Sequence, residues 1–68
     1  MSMDDDDVES FEGVTCKAET EKACLCTING EDVWIPKSQI DDTSEVFDKD
    51  GEGTLVVTSW IARQKGLV

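Results

Sequence analysis

The sequence predicts a small α+β domain, an antiparallel sheet of four or five strands carrying one short C-terminal helix. Three features point to it. Asn29-Gly30 interrupts the apolar-rich stretch "ACLCTINGEDVWIP" where a two-residue type I′ hairpin turn fits. The run "TLVVT" is β-branched. The closing "SWIARQKGLV" shifts to helix formers with basic residues and a glycine stop. A chain of 68 residues holds one such domain, with a marginal core.

Residues 1–10 read as a mobile acidic tail, because Asp4, Asp5, Asp6 and Asp7 in a row leave too little apolar surface to offset chain entropy. The folded domain is then 11–68. Its first strand is "GVTCKAE", with a hairpin following. Placing Ile28 opposite Glu31 pairs Cys26 with Val33, Leu25 with Trp34, and Cys24 with Ile35. Cys24, Cys26, Ile28, Val33 and Ile35 therefore share the face expected to be the core. Trp34, beside Leu25 on the other face, either packs under the helix or stands as an exposed aromatic anchor, and burial is the expectation.

Pro36 cannot donate to a ladder and ends the third strand. "KSQIDDTS" reads as a polar crossing, and "SEVF" and "TLVV" as the arms of a second hairpin joined by a Gly-rich turn. Thr58 or Ser59 caps the helix, Arg63 and Lys65 suit its C-terminal end, and Gly66 stops it. Trp60 and Ile61 are expected in the core. An open sheet and a small barrel both satisfy this pattern.

Charge is distributed unevenly. Sixteen acids against six bases, with no histidine, give a formal net charge of −10. Residues 1–12 carry −6, 13–37 carry −1, 38–52 carry −5, and 53–68 carry +2. Such a field opposes nucleic acid and anionic membrane and attracts basic protein surfaces. No apolar run approaches the roughly 18 residues of a membrane span, and the N-terminal residues lack the layout of a secretory signal, so a soluble intracellular protein is expected.

Cys16, Cys24 and Cys26 have a spacing that fits no common zinc pattern, and Cys24 and Cys26, as alternate strand residues, stand too far apart to bridge each other. They read as reduced, buried small hydrophobes. With no histidine or tyrosine, and carboxylate pairs that any surface this acidic would show, the sequence does not read as an enzyme, and no cofactor is expected.

Residues Asp48–Leu55, "DKDGEGTL", resemble the start of an EF-hand loop: Asp48, Asp50 and Glu52 stand at the first, third and fifth positions, with Gly53 at the sixth. The twelfth position, however, is Ser59 in place of the bidentate glutamate, and β-branched residues follow where the motif turns helical. The turn reading is preferred, and weak calcium binding through Asp48–Leu55 is kept as an alternative.

The acids also have a collective reading. Alternate strand carboxylates stand about 6.6 to 6.8 Å apart, close to backbone phosphate steps, so an acidic surface can occupy a DNA-binding groove. The candidates are Glu31, Asp32, Asp41, Asp42, Glu45, Asp48, Asp50 and Glu52, with Trp34 as the possible aromatic anchor. The alternative use of such a surface is solubility alone.

"VWIPKSQI" (33–40) followed by "GTLVVTSWIARQKGLV" (53–68) resembles a group of small proteins encoded by phages and mobile elements, over roughly residues 22–68. The resemblance implies phage or prophage origin and a shared small fold, with no site assigned. Small acidic phage proteins without catalytic apparatus resemble inhibitors of host defence, of which anti-CRISPR proteins are the best-known class. The expectation is an anti-CRISPR protein of the bacterial host cytoplasm that blocks DNA binding by a type I surveillance complex through DNA mimicry. A phage accessory interaction module without mimicry is the alternative.

Overall fold

A computed structural model describes residues 7–67. Four strands, β1 (Val8–Glu19), β2 (Ala23–Ile28), β3 (Glu31–Pro36) and β4 (Glu52–Thr58), form one antiparallel sheet in the order β3-β2-β1-β4, followed by helix α1 (Ser59–Gln64). The sheet is open, with β3 and β4 at its edges. A 3-10 turn (Lys37–Gln39) leaves β3.

The hairpin adopts the register that Asn29-Gly30 demands: Ile28 faces Glu31, Cys26 faces Val33, Leu25 faces Trp34, and Cys24 faces Ile35. Both turn residues have positive φ, 52° and 84°, as a type I′ turn requires. β1 begins at Val8, opposite Thr58, so 8–10 of the expected tail are strand; the aspartates Asp4, Asp5 and Asp6 lie outside the described residues. β1 bends twice. One irregularity falls between Phe11 and Val14, where Gly13 has φ 69°, and the other between Cys16 and Ala18, leaving Lys17 unpaired in the ladder. These bends let one long strand serve β4 with its first half and β2 with its second.

One face of the sheet carries the core: Val14, Cys16, Cys24, Cys26, Ile28, Ile35, Leu55 and Val57, with Val33 half-buried against them. α1 closes one part of that face with Ile61 and Ala62, and the crossing segment closes another with Val46. Thr58 is the helix cap, its hydroxyl accepting the Ile61 N–H. The helix ends in a Schellman pattern, in which Leu67 N–H reaches the Ala62 carbonyl, Gly66 N–H reaches Arg63, and Gly66 takes φ 71°.

Three expectations are corrected. Trp34 is 43% exposed, because α1 packs on the core face and none of the described elements covers Trp34 on the face it shares with Leu25. Trp60 is 47% exposed: a helix of six residues turns one narrow face inward, and Ile61 and Ala62 occupy it. Ser44–Phe47 is not a strand. The chain runs beside β4 through a single antiparallel bridge, Ile40 opposite Val57, with Asp41 N–H bonded to the Val56 carbonyl and Glu45 N–H to the Thr54 carbonyl, and side chains of Ser44 and Glu45 complete the edge.

Candidate protein-interaction surface

The segment from Ile40 to Gly51 positions most of the candidate acids, and it is held by unusual means. Ser44 Oγ accepts the N–H groups of Val46 and Val56, each at 3.1 Å, while donating to the Val46 carbonyl. Glu45 Oε1 accepts the Thr54 N–H at 2.9 Å. Two side chains thus satisfy β4's outer edge, where a fifth strand would otherwise lie. Asp41 accepts the Thr43 N–H at 3.0 Å and the Thr43 hydroxyl at 2.6 Å, both on Oδ2, which fixes the bend that follows Ile40. Those two bonds hold its carboxyl below the usual range, the hydroxyl contributing most.

Asp48–Gly51 is a tight turn closed by Gly51 N–H to the Asp48 carbonyl, with Asp50 at φ 71°. It is docked on β1, where Cys16 N–H bonds the Gly51 carbonyl and Asp50 N–H bonds the Cys16 carbonyl. Among the described residues no group of three or more carboxylates or thiols is gathered to hold a metal ion. Glu52 already belongs to β4, extended opposite Thr15, so the chain leaves the turn as a strand where an EF-hand loop would curl around its ion.

The eight candidate acids fall into three groups. Glu31 and Asp32 sit at the β3 edge. Asp41, Asp42 and Glu45 flank the β4 edge, and Asp48, Asp50 and Glu52 occupy the turn entering β4. Asp32 and Glu52 share one cross-strand row, Asp32-Thr27-Thr15-Glu52, on the uncovered face. Three interstrand steps separate them by about 14 Å. Alternate spacing along one strand is therefore not what places these acids, since Asp48 and Asp50 lie in a turn and Glu31 and Asp32 point to opposite faces.

Their chemical situations also differ. Asp32 is neutralised: Lys17 Nζ lies 3.0 Å from Oδ2 and the Thr27 hydroxyl donates to Oδ1 at 2.8 Å, so Lys17 first and Thr27 second lower its pKa. Glu45 is spent on the Thr54 N–H. Asp42, Asp48, Asp50 and Glu52 are exposed and make no side-chain hydrogen bond among the described residues, though the charge of Asp48 reaches Lys37 and, after Glu19, helps to raise its pKa. Of the bases, Lys37 is bonded to Glu19, whose second oxygen also accepts the Lys49 N–H, and that pair lowers the pKa of Glu19 and raises that of Lys37.

The aromatic that sequence reasoning missed is Phe47. It is 56% exposed, more than Trp34 or Trp60, and lines a groove with Lys37, Ile40, Asp41 and Asp42. A second groove, on Ser38, Gln39, Thr58 and Trp60, shares the same 3-10 turn as a wall. The in-out alternation of Val46 and Phe47 was available in the sequence, but only once the segment is known to be anchored beside β4.

No helix among the described residues is long and apolar enough to cross a membrane. Compared with protein-family models, with curated proteins and with solved structures, the chain has no significant match.

Proposed function

We propose that this chain is a phage-encoded stoichiometric inhibitor that docks carboxylates onto the DNA-binding surface of a bacterial defence complex, a type I CRISPR surveillance complex being the concrete target. The supporting observation is the crowding of exposed carboxylates at one edge: Asp42, Asp48, Asp50 and Glu52 gather on the β4 side of the sheet, while at the opposite edge Asp32 is paired with Lys17 and Glu31 alone stands exposed beside it. Such a surface attracts the lysines and arginines that grip target DNA, raising the on-rate and weakening with salt. The protein acts by occupancy, without catalysis or a cofactor, in the host cytoplasm.

The test has two arms. Phage plaquing is scored on bacteria carrying active, targeting CRISPR systems of several types, with and without this chain. The purified target is then assayed for displacement from DNA by wild type and by a Asp48→Asn, Asp50→Asn, Glu52→Gln triple variant. Asparagine at position 50 keeps a residue that tolerates the positive φ there. Rescue in one CRISPR type, with displacement lost in the variant, supports the reading. No rescue in any type, with expression verified, sinks it.

A second reading is favoured by the exposed aromatics Trp34, Phe47 and Trp60: an accessory module that docks on a phage replication or packaging protein through apolar contacts. Recovery of phage proteins alone in a pull-down from infected cells, together with no rescue, would select it.

A further inference from the structure

Phe47 is an anomaly of placement. Its ring is more than half exposed, yet the backbone that carries it is locked on both sides: Val46 is fully buried and bonded to Ser44, and the Phe47 carbonyl accepts the Cys24 Sγ–H at 3.3 Å. The backbone that carries the ring is already ordered, so only the side chain's own rotamers remain to be fixed at an interface.

The groove beside it has a definite chemistry. Ile40 and Phe47 form an apolar wall, and Asp41 and Asp42 supply the carboxylates. Asp41 is oriented by its two bonds from Thr43, both to Oδ2, which leaves Oδ1 without a hydrogen bond among the described residues. Asp42 has no partner there either. Lys37 also lines the groove, and its ammonium is paired with Glu19. The groove therefore offers an apolar face and two available acceptors, and Lys37 in its lining is already paired with Glu19.

We propose that this groove captures an arginine side chain of the partner protein. The stem lies against Ile40, the guanidinium plane stacks on Phe47, and its forked N–H donors meet the carboxylates of Asp41 and Asp42. Lysine offers a hydrated point charge that neither stacks nor forks. The inference rests on the reading of this side of the sheet as a dock for a basic protein, and it shifts the specificity from the Asp48–Glu52 turn to the groove.

The probes are two blocked tripeptides, acetyl-Gly-Arg-Gly-amide and acetyl-Gly-Lys-Gly-amide, titrated into the full chain labelled with nitrogen-15. The expected result is amide shifts centred on Asp41, Asp42 and Phe47, with the lysine peptide binding about two- to fivefold more weakly, the range of an exposed cation–π contact. Phe47→Ala and Asp42→Asn, which remove exposed groups, should abolish the preference while the remaining spectrum stays in place. Equal response to the two peptides, shifts confined to Asp48–Glu52, or indifference to Phe47→Ala would overturn the groove. This titration is independent of phage rescue, so the inhibitor reading and the groove fail separately. Rescue that survives Phe47→Ala but is lost in the triple variant keeps the former and overturns the latter.

Discussion

Ser44 Oγ accepts the Val56 N–H at 3.1 Å across the outer edge of β4, so one hydroxyl does what a neighbouring strand's carbonyl would do. The same oxygen takes the Val46 N–H and donates to the Val46 carbonyl, and the residue is only 5% exposed. Ser44→Ala removes an acceptor from two N–H groups at once and should cost about 1–3 kcal/mol, the range for leaving buried donors unsatisfied. Urea unfolding would show this as a lower midpoint with an unchanged slope. A midpoint equal to wild type would mean that water replaces the hydroxyl and that this edge is wetter than the packing indicates.

Gly53 and Glu45 are a matched pair. Gly53 has φ 132°, and a Cβ there would collide with Glu45 Oε1, the atom that accepts the Thr54 N–H. Gly53→Ala therefore combines backbone strain with displacement of Glu45, at about 1–3 kcal/mol. Glu45→Ala removes the collision along with the acceptor, so the double variant should be less destabilised than the sum of the singles. Additive losses in the four-member cycle would show that the φ alone sets the cost.

The hairpin was legible in the sequence because Asn29-Gly30 fixes both turn type and register, and a period of two then assigns every side chain between Cys24 and Ile35 to a face. The helix cap and stop were legible for the same reason: Thr58 and Gly66 act through bonds to residues a few positions away. Trp34 and Trp60 were placed wrongly because their burial depends on which face α1 covers, a long-range choice that local pattern does not contain. "SEVF" resembled a strand in composition, but Ser44 and Glu45 use side chains where a strand uses backbone, and the sequence pattern is blind to that substitution. The acids were legible as a set. Their division into neutralised and uncompensated members needed the Lys17–Asp32 and Lys37–Glu19 pairings, which join residues 15 and 18 positions apart.

The three cysteines sit together in the core, Cys16 directly opposite Cys26 on neighbouring strands, all with free thiols. Burial first, and the neighbouring Cys16 second, push the Cys24 thiol up to about 11 and the Cys26 thiol up to about 12 from an ordinary 9.0. Thiolate is the reactive form, so Cys24 and Cys26 should be inert to a disulfide reagent at pH 8 in the native protein and react quickly in urea. The same shifts carry a stability consequence. Below pH 9 these thiols are neutral in both states; above it the unfolded chain ionises while the fold holds the protons, so stability falls as pH rises from 9 toward 11. Fast native reaction of Cys24 or Cys26 at pH 8 would show that this part of the core opens readily.

On the acid side the sign is opposite. Asp41, with its bonds from Thr43, has a folded pKa below the unfolded 3.8, so its contribution is complete above that value and disappears as pH falls through the lower folded one. Lowering the pH also relieves repulsion among sixteen carboxylates, which pulls stability the other way, so a single-site comparison is needed to isolate the effect. Asp41→Asn keeps an oxygen for the Thr43 donors and removes only the charge. Its deficit against wild type should be present at neutral pH and vanish once Asp41 is protonated, read as converging urea midpoints in acid. A deficit that persists in acid would show that the amide disturbs the bend itself. Convergence would establish that the Asp41–Thr43 bond is charge-assisted, and thus that the carboxylate lining the Phe47 groove is oriented by the same residue that shapes the loop.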